Sequence, residues 1–196
     1  MASRSVRCAS AETTSENAAR AQGLIEALAS ADTQRGDARV LISSRLTRFV
    51  VLAANPEIGT EQEQRTYAAV ALRRRFGEPN EEWNICTTEL DGKLVAAAVN
   101  QSLVDALSEV LTQHRLRPVS MRPIAVAAYN AMRTQVRGVN RLVVAEPDCA
   151  TIMRIEQNHC SNIQVHALRG DANIALEQLL HRDDNLLGSA LARPRN

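Results

Sequence analysis

From about Ala38 onward the apolar positions alternate between a period near two and a period near four, which predicts strands interleaved with helices. RVLIS and RFVVLA are short runs of branched apolar residues and predict two strands. TEQEQRTYAAVALRRRFG predicts a helix. Thr60 and Glu63 have the spacing of a capping box, Gly77 supplies a stop, and Pro79 lies just beyond it. Tyr67, Ala68, Ala71, Leu72 and Phe76 form its apolar stripe. EWNICTTEL and KLVAAAV, joined by Asp91-Gly92, predict a hairpin closed by a type I′ turn. KLVAAAV is apolar on both faces and should be the central strand of its sheet. Asn100 is placed to cap a helix with Leu103, Leu107, Val110 and Leu111 on one face. RPVSM predicts a short strand, and Pro123 suits the first turn of PIAVAAYNAMR.

After Gly138 the pattern returns to a period of two. RLVVAE, TIMRIE and NIQVHAL predict a three-stranded meander, with Ile163, Val165 and Ala167 inward and Gln164 and His166 outward. Asp171 should cap a last helix whose stripe is Ala172, Ala175, Leu176, Leu179 and Leu180. Residues 1–36, rich in Ser, Thr, Ala and Glu, read as a loosely attached tail with one short helix at Leu24, Ile25 and Leu28. Residues 183–196 read as a frayed C-terminal tail. The class is α/β with mixed sheets.

Composition narrows the function. The 196 residues suffice for one ordinary domain or two small lobes. A net charge of +1 gives no strong pull toward nucleic acid or anionic membrane. Aromatics at 3% are too few for a base-stacking platform. The longest apolar run, Leu94 to Val99, is far short of a membrane span, and MASRSVRCASAETTSENAAR has no signal-type apolar stretch. Cys8, Cys86, Cys149 and Cys160 form no CxxC pair, as expected of free thiols in a reducing cytoplasm.

One long segment carries a family likeness. KLVAAAVNQSLVDALSEVLTQHRLRPVSMRPIAVAAYNAM, followed by LVVAEPDCATIMRI, resembles the PilM-like proteins of type IV pilus platforms and the cytoplasmic part of the type II secretion L protein. The likeness covers about residues 38 to 180. It implies an RNase H-like, actin-like first lobe over 37–137 and a partial second lobe, a meander plus one helix, over 138–182. It further implies a cytoplasmic protein, or one peripheral at the inner membrane. Its partners would be protein subunits of a membrane-associated assembly, with self-association as another form, and not nucleic acid.

The same likeness exposes departures. Active members of the superfamily open with a glycine-bearing hairpin for phosphate and metal, and nothing before Ala38 resembles it. The second hairpin's Asp-x-Gly would fall on Ala145-Glu146-Pro147, and proline has no N–H to give a phosphate. Glu146, Pro147 and Asp148 therefore read as a degenerate phosphate hairpin, its carboxylates a solvated corner. No catalytic, cofactor-binding or metal residue is assigned, and no cofactor is expected. The expectation is a non-catalytic assembly module. The alternative is a nucleotide-binding actin-like ATPase. An RNase H-like enzyme ranks below both, since Glu89, Glu146 and Glu156 are scattered and two-metal chemistry needs converging carboxylates.

The remaining polar residues add little. His114, His159, His166 and His181 share no ligand spacing, and Ser43-Ser44 lacks a nucleophile elbow. Arg73, Arg74 and Arg75 read as an exposed basic face. Two sheet edges remain as protein-interaction surfaces. One lies around Trp83 and Ile85, the other around Ile163 and Val165.

Overall fold

Strand β4 (Lys93–Asn100) is covered on both of its faces, and the rest of the fold is arranged around it. The computed structural model describes residues 35–191, except 54, 91 and 137. The short helix expected near Leu24 lies outside them, as does Asp91 of the expected turn; Gly92 has φ +75°, as that turn requires.

Before β4 come β1 (Gly36–Ile42), a 3-10 turn (Ser44–Leu46), β2 (Arg48–Ala53), α1 (Glu61–Phe76) and β3 (Trp83–Leu90). After it come α2 (Gln101–Gln113), β5 (Leu116–Pro123), α3 (Ile124–Met132), β6 (Arg141–Ala145), β7 (Cys149–Glu156), β8 (His159–Ala167) and α4 (Ala172–Leu191). The described strands form three sheets: a parallel pair β1-β5, an antiparallel sheet β2-β4-β3 and the antiparallel meander β6-β7-β8.

The two-residue period of β4 explains how the layers meet. Ala96 and Ala98 pack against Ala68 and Leu72 of α1 and Val50 of β2. Val95 and Ala97 lie on the opposite face, in a cluster with Phe49, Met153, Ile155 and Ile163. Ala125 and Tyr129 of α3 complete that cluster. The antiparallel sheet is thus enclosed between α1 and the meander. Small alanines on β4 let both layers approach closely, and burial of the larger chains around them supplies the driving force. A separate cluster places Leu103 and Leu107 of α2 against Ile42 of β1 and Val99.

The local signals explain most element ends. Thr60 accepts from the Glu63 N–H and Glu63 reaches back to Thr60, closing the capping box. Asp171 accepts from the N–H groups of Asn173 and Ile174 and starts α4. The β7–β8 turn uses Gln157 and Asn158, both at positive φ.

Four details differ from the expectations. Asn100 stands at the N-cap of α2 but makes no side-chain cap bond, and Pro123 stands just before α3 rather than inside its first turn. Phe76, expected in the apolar stripe of α1, is 41% exposed. Residues 183–191 are not a frayed tail: α4 runs through Leu191. Asp183 shows why helix persists there. It is buried and ion-paired to Arg154 at 2.5 Å and to Arg141 at 3.4 Å. Arg141 and Arg154 are direct cross-strand neighbours, a like-charged pair that needs a carboxylate between them.

Candidate functional site

The Glu146-Pro147-Asp148 corner joins β6 to β7 and sits against the 3-10 turn that joins β1 to β2. Its backbone closes on itself, with the Glu146 N–H donating to the Cys149 carbonyl at 2.8 Å. Pro147 fits because a locked φ costs nothing at a bend and no partner is needed for a missing N–H. The Glu146 carboxylate turns back onto the 3-10 turn. The Ser44 N–H donates to Glu146 Oε1 at 3.0 Å and to Oε2 at 3.3 Å. Arg45 pairs with Asp148. Ser43 holds the same turn from within by accepting from the Arg45 N–H. The corner is therefore a clasp between distant parts of the chain, and the expectation of a solvated corner is corrected for Glu146. Folding leaves the Ser44 N–H without a ladder partner, and a carboxylate is a strong acceptor for it.

Behind the corner, Cys149 is fully buried. Burial pushes its thiol up to about 12, and the nearby charges of Glu146 and Asp148 act in the same direction. A thiol held protonated is a poor nucleophile. Among the described residues, no group of three or more His, Cys, Asp or Glu side chains is placed to hold a metal ion.

Two grooves flank the clasp. The first, about 390 Å³, runs between Ile163–Ala167 of β8 and a wall of Arg45, Arg48, Arg75 and Phe76. The Arg48 and Arg75 guanidiniums lie 5.7 and 5.3 Å from the Phe76 ring centroid. Arg75 also donates to the Phe49 carbonyl at 3.4 Å. The second groove, about 480 Å³, is bounded by Glu78, Glu81, Trp83, Asn100 and Leu103, and shares Arg45, Arg48 and Phe76 with the first.

The four residues expected at interaction edges divide between surface and core. Trp83 and Ile85 lie half-buried on the edge strand β3, packed against the core under α1, and Trp83 also lines the second groove. Ile163 is not exposed: at 3% exposure it belongs to the main core, because the meander folds down onto β2 and β4. Val165 is half-buried beside it. The strand that carries both is nonetheless a sheet edge, paired only with β7 among the described residues. Sequence reading missed the Arg48–Phe76–Arg75 stack. Its one signal was a large aromatic next to the arginine run at the end of α1.

The architecture is that of the actin-like ATPase fold. Three solved structures define the likeness. A Bacteroides thetaiotaomicron protein of actin-like ATPase fold and unknown function superposes with a TM-score of 0.56 at 11% identity, over 85% of this chain and 62% of its own. A PilM–PilN type IV pilus biogenesis complex gives a TM-score of 0.52 at 19% identity, over 78% of this chain and 48% of the other. The cytoplasmic domain of EpsL, an inner-membrane component of the Vibrio cholerae type II secretion system, gives 0.50 at 12%, over 77% and 58%. This chain therefore spans about half to three fifths of the length of these proteins. No family model and no curated protein matches the sequence. No helix among the described residues is long and apolar enough to cross a membrane.

An actin-like fold raises the question of a nucleotide phosphate at the corner. The residues there do not fit one. Pro147 has no N–H to give a phosphate, and the carboxylates beside it are engaged by Ser44 and Arg45. The backbone N–H of Ser44, which meets the corner from the neighbouring turn, is already taken by Glu146.

Proposed function

We propose that this protein is an assembly module. It uses an actin-like fold to present surfaces to protein subunits of a membrane-associated machine, such as a pilus or secretion platform, and it does not turn over ATP. The observation that carries the reading is the Glu146–Ser44 clasp. In it, the hairpin that would meet a phosphate is committed to holding its own chain together. The likeness to PilM and to the EpsL cytoplasmic domain supports the choice of machine. The same reading places the protein in the cytoplasm, peripheral to a membrane through its partners.

Crosslinking mass spectrometry on protein purified from the source cells tests this reading. The expected result is recurrent crosslinks to a defined protein subunit, or to a second copy of the chain. A strictly monomeric protein that releases phosphate from magnesium-ATP overturns it.

A further inference from the structure

We infer that the groove beside β8 receives an extended, acidic segment of a protein partner, added as a further strand to the free edge of β8. The inference rests on the assembly reading only in taking the occupant to be a protein.

The geometry of β8 comes first. Side chains of a strand alternate between its two faces. A groove that touches Ile163, Gln164, Val165, His166 and Ala167 in succession touches both faces, so it runs along the strand's edge and reaches Cys149 of β7 at one end. That edge forms no ladder with another strand among the described residues, since β8 pairs only with β7. Its outward N–H and C=O groups are a template for another strand. Natural edges are usually blunted by proline, lysine or a bulge. β5 carries two such prolines, Pro118 and Pro123, whereas Ile163–Ala167 contains neither proline nor lysine. Within this stretch the β7–β8 register is continuous.

The opposite wall sets the chemistry of the occupant. Arg45, Arg48 and Arg75 line the groove, and no Asp or Glu does. Asp148 neutralises Arg45. Arg48 and Arg75 have no carboxylate partner among the described ion pairs, and both flank Phe76. Phe76 is 41% exposed. His166 Nε2 is buried without a hydrogen-bond partner in the protein. An incoming strand would pair its backbone with β8. Its acidic side chains would meet Arg48 and Arg75, and an apolar side chain would cover Phe76. A nucleic-acid strand or a lipid surface would use the cations but leave the strand edge unpaired.

Fluorescence anisotropy on the full chain tests this. The probe is a labelled eight-residue peptide of alternating glutamate and valine. Its controls are the lysine–valine counterpart, a single-stranded oligonucleotide and phosphatidylserine vesicles. The expected result is saturable binding of the acidic peptide, about tenfold or more tighter than the basic one. Arg48→Glu with Arg75→Glu should weaken it by at least about tenfold. If that variant misfolds, Arg48→Gln with Arg75→Gln should still weaken it by about threefold. Amide exchange at Ile163–Ala167 should slow when the peptide binds, which charge attraction alone does not cause. Equal binding of the two peptides, no binding, unchanged exchange at β8, or tighter binding of the oligonucleotide or vesicles overturns the inference. A phosphate-release assay on the same sample reports on the assembly reading separately.

Discussion

Glu146 accepts the backbone N–H of Ser44 at 3.0 Å, across 102 positions of sequence. The contact fixes the meander to the turn between β1 and β2. Glu146→Ala removes the acceptor and leaves the Ser44 N–H to find water. A hydrogen bond to a charged group contributes about 1.5–3 kcal/mol, and half-burial of Glu146 reduces that to about 1–2 kcal/mol of lost stability. Urea unfolding measures it. The exposed Arg45–Asp148 pair should contribute clearly less, since solvent screens surface ion pairs. Equal losses for Glu146→Ala and Asp148→Ala would contradict the clasp.

Leu107 is buried between α2 and β1. Leu107→Ala should cost about 2–5 kcal/mol through lost burial and the cavity left behind. Val104→Ala, at the margin of the same cluster, should cost clearly less. A chemical-denaturation series on both variants checks the ranking.

Asp183 ties α4 to the meander through Arg141 and Arg154. Asp183→Ala removes the carboxylate between two facing arginines and should cost about 2–4 kcal/mol, below the range for fully buried pairs because both arginines are partly exposed. Limited proteolysis should then cut α4 first. A helix that stays as resistant as in the parent protein would show that its apolar stripe alone holds it.

The cysteines give a pH-dependent prediction. At pH 8 a maleimide should modify exposed Cys86 quickly, and buried Cys149 and Cys160 only after denaturation. Burial raises Cys149 from 9.0 to about 12. The folded state keeps this proton when the unfolded chain begins to lose it. The associated stability is complete below about pH 9 and is lost as pH rises toward about 12. Urea midpoints should therefore fall above pH 9, with a limiting slope of about 1.4 kcal/mol per pH unit for each such thiol. Cys149→Ala should flatten the slope; an unchanged slope would contradict the assignment.

Much of this architecture was legible in the sequence because its signals are local. The alternation in KLVAAAV marks a strand buried on both faces, and Thr60 with Glu63 marks where a helix starts. What was not legible depends on long-range contacts. Nothing within a few residues of Glu146 says that its carboxylate will reach Ser44. Nor does the alternation around Ile163 say which face of the meander another sheet will cover. Asp183 was lost in a polar stretch that reads as fraying until Arg141 and Arg154 are seen side by side.

A corner that serves the fold and not a nucleotide should leave the protein indifferent to ATP. The most direct test is a thermal-shift titration of the full chain with magnesium-ATP up to millimolar concentration. Ligand at 100 times its dissociation constant stabilises by about 2.7 kcal/mol, so true binding is readily visible. No change in melting temperature is expected, in the parent protein and in Glu146→Ala alike. A clear, saturable rise in melting temperature with ATP would contradict it.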